Sequence, residues 1–508
     1  MNHEKITERQ IILAMLVSDE YMKQVRKIYK PEYLRSDAAG RITRWAIEYF
    51  DKYAHVMQEG ITEVYVDKIK KEHISEEVVE QIENILESIS DEYDREQFNF
   101  EYIADKTEIY FQARAIELNN EKVQVLLDNG DVDEANALIA NFSPPKRKIA
   151  QDIDLSDPAI LDRVSQAFAE TAHPLFKLPG ALGELINEHL LRDCFVALQG
   201  SEKRGKTWNL MELALKASKQ GCNVALFQAG DMSEKQQLRR IAISRAHLSD
   251  KEEYTGWQYV PVKDCLLQQT DQCTRPERES ELSLFKQKYK REDITKDMLL
   301  EAAAENPEYE PCRNCSKIIG IPWLKKVNLG SPITEEQARQ EFQRFFVNNG
   351  RRFKLSTHAA QTLTVKDIEH KLDEWEKDNF IADVVVIDYA DLLVSSVKEF
   401  RHSQNDIWMN LRGLSQKRHL CLITATQADA KAYETNTLTL QNFSEDKRKY
   451  AHVTAMFGLN QDKTGREKEL GILRYNIILA REGDFNANKC VCVLQSLKQG
   501  RAIITSYW

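Results

Sequence analysis

At 508 residues, with 42% hydrophobic and 30% charged side chains, the chain is long enough for two to four domains, each burying its own core. No run approaches the roughly 18 uninterrupted apolar residues of a membrane span, and the opening Met1-Asn2-His3-Glu4-Lys5 carries no apolar leader, so a soluble, cytoplasmic protein is expected. A net charge of −10 argues against a broadly basic nucleic-acid binder, but not against one whose basic groups line a channel.

Residues 1–142 read as a helical N-terminal domain. Apolar residues recur at helical spacing over 6–16, 21–29, 39–53 and 64–69, and Ser75-Glu76-Glu77-Val78 is an N-cap with acids in the first turn of a helix reaching Ile85. Residues 102–126 form a long amphipathic run that ends near Asn129-Gly130, and Asp131-Val132-Asp133 caps a short helix through Ile139. Such a bundle has no catalytic signature, so assembly or partner docking is its expected role. Ser143-Pro144-Pro145-Lys146-Arg147-Lys148 breaks the pattern, and 143–173 reads as a linker with a helix around 158–170.

Cys194-Phe195-Val196-Ala197-Leu198 is a short apolar strand. It runs into Gly200-Ser201-Glu202-Lys203-Arg204-Gly205-Lys206-Thr207, which fills every fixed position of G-x-x-x-x-G-K-[ST], and helical spacing follows from Trp208 to Ala217. Strand, glycine loop and helix form an anion cradle for the β-phosphate. Lys206 would reach the β/γ-phosphates and the Thr207 hydroxyl would ligate Mg²⁺. Gly200, Ser201, Glu202, Lys203, Arg204, Gly205, Lys206, Thr207 and the adjoining Trp208 are therefore the candidate ATP-binding residues.

Val224-Ala225-Leu226-Phe227-Gln228 is a second buried strand, expected beside the first, and leads into Ala229-Gly230-Asp231-Met232-Ser233. Asp231 is placed either to polarise the attacking water or to cap the helix that follows, and the sequence favours neither. A charged, irregular segment comes next, with Cys265, Cys273, Cys312 and Cys315. Cys312-Arg313-Asn314-Cys315 is a C-x-x-C knuckle, and 38 residues separate it from Cys273. Four such thiolates fit a tetrahedral structural Zn²⁺ in a zinc-ribbon-like insert over 262–326, a segment with little core of its own. Unconnected thiols, or a redox pair at Cys312 and Cys315, are the alternatives. Residues 281–304 would form the insert's outer arm.

Residues 335–346 read as a helix, 353–358 as a strand and 365–375 as a helix. Ala382-Asp383-Val384-Val385-Val386-Ile387-Asp388 is then a continuous apolar strand ending in an acid, the Walker B arrangement. Asp388 would hold Mg²⁺ through a water opposite Thr207, with Asp391 a second candidate. A helix over 407–418 leads to a buried strand over 419–427, whose terminal Gln427 is either a sensor of the γ-phosphate or water, or structural. Residues 428–446 read as a loop over the carboxyl edge of the sheet, and strands over 454–460 and 471–481 precede a closing hairpin. Lys447-Arg448-Lys449-Tyr450 is either a phosphate contact or a solvated charge run. The alternation of strand and helix from 174 to 508, with its P-loop early and its Walker B acid far downstream, is that of an α/β RecA-like P-loop core, mainly parallel and flanked by helices.

On these motifs the chain resembles the DnaB-type replicative helicases. Gly200 to Thr207 matches that family's P-loop. Asp231-Met232-Ser233 resembles its Glu-Met-Ser, with Asp in place of Glu. Ile387-Asp388-Tyr389-Ala390-Asp391-Leu392 resembles its Ile-Asp-Tyr-Leu-Gln-Leu, and Thr424-Ala425-Thr426-Gln427 its Ser-Gln strand. The helices opening Glu8-Arg9-Gln10-Ile11-Ile12 are similar to its N-terminal domain. The family's Lys-x-Arg appears as Leu479-Ala480-Arg481, so the arginine alone carries over, and the cysteine insert is similar to a phage-type branch.

The resemblance implies an ATP-dependent DNA helicase that moves on single-stranded DNA as a homo-hexameric ring. Lys206, Asp231, Asp388, Gln427 and Arg481 would be its catalytic residues, with Arg481 acting in trans as an arginine finger. The N-terminal domain would dock a loader or primase. The shortened acid and missing lysine equally suit a DnaB-like ATPase that loads or switches partners without unwinding. A zinc-dependent DNA-binding module with a vestigial ATPase is a third reading, against which the intact P-loop stands.

Overall fold

The computed structural model describes residues 7–57, 60–72, 74–90, 99–140, 142, 144–145, 161, 164–165, 168, 173–276, 283–285, 289–312, 314, 320–395, 400–433, 435–442, 447–481 and 485–508. They fall into two compact units, one of residues 1–171 with 373–381 and one of 172–372 with 382–508. The expected helix around 158–170 lies mostly outside the described residues.

The first unit is helical: α1 (Glu8–Val17), α2 (Asp19–Val25), α3 (Asp37–Tyr53), α4 (Ile61–Lys71), α5 (Glu76–Ser90), α6 (Phe100–Asp128) and α7 (Val132–Ala140). A capping box opens α1, where the Thr7 hydroxyl accepts from the Gln10 N–H and the Gln10 side chain accepts from the Thr7 N–H. Met15, Tyr21, Trp45 and Phe111 are fully buried at the centre. The Tyr21 hydroxyl meets Thr107 Oγ1 at 2.7 Å, which satisfies a buried phenol and ties α2 to α6.

The strands of the second unit are β1 (Phe195–Gly200), β2 (Val224–Gln228), β3 (Trp257–Cys265), β4 (Gly320–Asn328), β5 (Phe353–Thr357) and β6 (Val384–Asp388). They continue with β7 (Cys421–Gln427), β8 (Ala455–Asn460), β9 (Ile472–Ala480), β10 (Val491–Ser496) and β11 (Arg501–Tyr507). Its helices are α8 (Gly180–Ile186), α9 (Lys206–Lys219), α10 (Glu234–Ala246), α11 (Lys296–Glu305), α12 (Glu335–Phe342), α13 (Val365–Lys377, which from residue 373 belongs to the first unit) and α14 (Phe400–Lys417). One sheet runs in the order β11-β10-β9-β8-β1-β7-β6-β2-β5. Strands β1, β2, β6, β7 and β8 are parallel and buried, which is why they read as unbroken apolar runs. Strands β9, β10 and β11 extend it antiparallel.

The expectation that β2 neighbours β1 is corrected, because β7 and β6 lie between them. Helix α9 lies across β6, β2 and β7. A helix roughly 10 Å wide covers about two strand spacings, so the crossover after β1 lands on a distant strand and leaves places that β6 and β7 later fill. Among the described residues, no helix is long and apolar enough to cross a membrane.

Sequence reading also missed a second sheet. Strands β3 and β4 pair antiparallel from Trp257↔Asn328 to Cys265↔Gly320. The stretch expected as an outer arm instead turns inward. Leu299 and Ala302 of α11 join Tyr309, Ile321 and Trp323 in an apolar core continuous with Leu494 and Tyr507. At its centre lies Asp264, 1% exposed. Its Oδ1 accepts from the Cys265 and Cys312 N–H groups at 2.7 and 2.8 Å, and its Oδ2 from Gln269 Nε2 and the Tyr309 hydroxyl at 2.7 and 2.8 Å. Burial pushes the Asp264 carboxyl up to about 6 against these four donors. Asp264→Ala orphans all four, each costing about 1–3 kcal/mol when buried. The expected outcome is cleavage between 262 and 326 in limited proteolysis of the full chain, under conditions where the wild type stays intact.

Candidate active site

The nucleotide cradle forms where β1 turns into α9. Gly205 is the N-cap of α9 at φ +79°, and a Cβ there would come within 3.1 Å of Leu497 Cδ1, so glycine is required. The start of α9 is pinned from β9. Buried Tyr475 donates its hydroxyl to Asn209 Oδ1 at 2.6 Å, and Asn209 Nδ2 donates to the Gly205 carbonyl at 2.9 Å. The Lys206 ammonium is folded into the loop, donating to the Gly200 and Ser201 carbonyls at 2.8 and 3.1 Å, with its pKa lowered by burial. Glu202 and Lys203 are exposed, and Arg204 Nη1 donates to Gln461 Oε1 at 2.7 Å.

Asp388 ends β6 within reach of the loop. The Thr207 hydroxyl donates to its Oδ1 at 3.1 Å. Its Oδ2 faces the Gln228 amide nitrogen at 2.8 Å, while the amide oxygen of Gln228 accepts from the Met232 N–H at 3.2 Å. The register Gln228↔Asp388 therefore fixes the loop that carries Asp231. Burial, helped by the negative charge of Asp231, pushes the Asp388 carboxyl up to about 6. A hydroxyl and a carboxylate side by side, both oxygen donors, fit Mg²⁺.

Asp231 itself is exposed. Gly230 before it has φ +110°, and a Cβ there would lie 2.4 Å from the Ala360 nitrogen, so the chain turns toward the cradle through a position that excludes a side chain. The cap of α10 is Ser233 in a capping box with Gln236, so capping does not account for Asp231.

Gln427, at the end of β7, donates through Nε2 to the Tyr389 hydroxyl at 2.9 Å, and the Tyr389 ring centroid lies 5.9 Å from Lys206 Nζ. Asp391 does not join Asp388. Its Oδ2 accepts from Thr426 Oγ1 and the Gln427 N–H at 2.8 and 3.0 Å, and its Oδ1 from Lys449 Nζ at 2.8 Å. The Lys449 side chain is 1% exposed in this pair. The expectation of a phosphate-contacting or solvated Lys449 is thus corrected: buried beside a carboxylate, its charge is already neutralised.

The structure does not bring Arg481 to the cradle of its own chain. Its N–H donates to the Thr454 carbonyl and the Thr454 N–H to the Phe195 carbonyl, at 2.9 and 2.8 Å, which places it at the amino end of β1. Five residue steps along β1, roughly 17 Å, separate that end from Gly200.

The thiols do not assemble either. Among the described residues, Cys265, Cys273 and Cys312 do not converge as a group with sulfurs within 4.8 Å of one another, and Cys315 lies outside the described residues. The described thiols therefore present no three-sulfur donor set for Zn²⁺, and the apolar core around Trp323 gives this part of the chain a cohesion of its own.

Sequence reading missed Arg240. Its guanidinium lies 5.2 Å from the Trp208 ring centroid, and burial lowers its pKa against the opposing charges of Asp388 and Asp231. The available signal was its place seven residues, about two helical turns, after Ser233, a spacing that returns to the face on which the helix begins. Lys449 gave no such signal, since its partner is 58 residues away.

The strand ending in Gln427 lies between the P-loop strand and the Asp388 strand, all parallel, with Lys206, Thr207 and Asp388 meeting at their carboxyl ends. This is a RecA-like P-loop core. No protein-family model and no curated protein matches the chain. Among solved structures it is similar to the ATPase domain of G40P, at 14% identity and TM-score 0.43, covering 69% of this chain and 98% of that one. It is similar over 97% of its length, and 98% of the other's, to a DnaB-like replicative helicase described with its interactions with primase, at 14% identity and TM-score 0.44. A KaiC-like protein of the hyperthermophilic archaeon Pyrococcus horikoshii aligns at 11% identity and TM-score 0.36, covering 66% of this chain and all of that one (100%).

Two outcomes test the site. Mg²⁺ needs the ionised Asp388, and its carboxyl holds a proton up to about pH 6 when no nucleotide is bound. Binding of Mg–ATP should therefore release a proton and weaken by up to about tenfold per unit as pH falls below 6, levelling off above it. In Asp388→Asn, titration calorimetry should find weak binding with no such slope. Lys449→Met leaves a buried carboxylate unpaired, at a cost of about 3–5 kcal/mol in urea unfolding, and Lys449→Met/Asp391→Asn should recover part of it.

Proposed function

We propose that the chain is an ATP-dependent DNA helicase that moves along single-stranded DNA as a cytoplasmic ring oligomer, a homo-hexamer. The observation that carries this reading is the division of the machinery along β1. The nucleotide cradle of Lys206, Thr207, Asp388 and Asp231 stands at the carboxyl end, and Arg481 is held at the amino end. A site so divided is completed by a neighbouring copy.

In the proposed reaction, Lys206 exchanges the Gly200 and Ser201 carbonyls for phosphate oxygens. Thr207 and Asp388 would hold Mg²⁺, which would supply positive charge for the phosphates. The Asp231 carboxylate accepts a proton from water as the water oxygen bonds to the γ-phosphorus. The bond from that phosphorus to the bridging oxygen breaks, and ADP takes up the electron pair. Arg481 of the adjoining copy stabilises charge on the transferring group. The chain Tyr389–Gln427–Asp391–Lys449 then links the cradle to the turn Lys447–Ala451, which flanks the 428–446 loop proposed to contact DNA. The helical domain of 1–142, joined through 143–173 to the ATPase domain, would dock a loader or primase.

One observation favours a second reading, an ATP-driven loader or switch without unwinding. Asp231 reaches one methylene less far than Glu, which suits slow turnover. Hydrolysis by wild type and Asp231→Ala, with and without single-stranded DNA and beside a forked duplex, separates the two. DNA-stimulated turnover with unwinding, reduced about 100-fold or more in the variant, is expected. Turnover indifferent to DNA and without unwinding would leave the switch.

A further inference from the structure

Two guanidinium groups are anchored on backbone carbonyls around the amino end of β1. Arg481 donates through Nε to the Val453 carbonyl at 2.9 Å and through Nη2 to the Ala451 carbonyl. Arg412, on α14, donates through Nη1 to the Asp193 carbonyl, two residues before Phe195, and more weakly to Ser415 Oγ at 3.5 Å. Backbone bonding places the pair together, since Asp193 holds Arg412 while Phe195, through Thr454, holds Arg481. Among the described residues, neither head forms an ion pair with a carboxylate. The Asp193 carboxylate, for its part, engages His419 Nδ1 through Oδ1 at 3.1 Å. The positive charge of Arg481 adds to burial in lowering the pKa of Arg412, as expected of like charges held close.

Two planar forks held in one corner by backbone carbonyls, with a weak hydroxyl contact added and no carboxylate partner among the described residues, form an anion site, because guanidinium matches phosphate oxygens and cannot shed its proton to relieve the repulsion. The anion cannot be the chain's own nucleotide, for β1 holds the cradle roughly 17 Å away. We propose that Arg412 and Arg481 act as a pair on the terminal phosphate of the nucleotide bound to a second copy of this chain. This rests on the ring reading above, and assigns Arg412 as a phosphate-contacting residue in trans.

The test uses full-length chains. Arg412→Ala should lower kcat by at least about tenfold, part of the 10³–10⁵ that an arginine finger supplies, with the KM for ATP changed less and nucleotide-free affinity for single-stranded DNA unchanged. Co-expressed with Lys206→Ala, which lacks a working cradle but keeps both arginines, it should turn over faster than the sum of the two variants alone. Arg412→Lys keeps a donor for the Asp193 carbonyl and loses the fork. It should unfold at the wild-type temperature yet remain impaired, and it carries the test if Arg412→Ala does not fold. Wild-type turnover in Arg412→Lys or Arg412→Ala, or a mixture that is merely additive, overturns the proposal. So does loss of nucleotide-free DNA affinity, which would assign Arg412 to a nucleic-acid phosphate. Arg481→Ala run in the same mixture isolates the underlying reading: its failure to complement sinks the ring, whereas failure of Arg412 variants alone leaves the ring standing.

Discussion

The hydrogen bond from the Thr207 hydroxyl to the Asp388 carboxylate joins residues 181 positions apart, and the candidate site depends on it. It requires that β1 and β6 run parallel and end at the same edge, which the intervening β7 enforces through ladders to both. Once those carboxyl ends are level, the P-loop, Tyr389 and Gln427 open onto one cleft without any long-range search by side chains. The Gln228 amide, bridging Asp388 and the Met232 N–H, then fixes the loop that brings in Asp231.

The protein holds charge in low-dielectric surroundings at three places and satisfies it in different ways. Asp264 is surrounded by neutral donors and keeps a raised pKa. Asp391 is matched by a lysine as well as by Thr426 and the Gln427 N–H, the additional hydrogen bonds that a buried ion pair needs to offset desolvation. Asp388 has two neutral donors, a negative neighbour in Asp231 and the opposing charges of Arg240 and Lys206, yet burial still holds its pKa raised, an arrangement suited to a further cation. The contrast separates groups that stabilise the fold from one kept ready for a ligand.

Much of this was legible in the chain. The P-loop and the apolar strand ending in Asp388 are local patterns, and their pairing follows from parallel-sheet chemistry. Strand order was not legible, because periodicity says which residues are buried and not which strand lies beside them. The β3–β4 ribbon was hidden by lysines and two prolines, Pro261 and Pro322, among its apolar residues. The cysteines drew attention from Asp264, an acid with no motif around it that organises the segment through Cys265 and Cys312 backbone groups. Lys449 was misread for the same reason: a charge run looks solvated until the fold supplies a partner.

The polarity of β1 has a geometric consequence. With a phosphate cradle at one end and a guanidinium pair at the other, the surface that receives and the surface that gives are different patches on the same chain. Two copies related by a two-fold axis would set like against like. In the ring proposed above the contact would be heterologous, each copy placing its arginines on the next, and such contacts propagate until the rotation per step divides a full turn. The number of subunits is then set by an angle between neighbours rather than by any residue in the cleft. A substitution that tilts that interface could change the count, or open the ring into a helix, while leaving every atom around Asp388 in place.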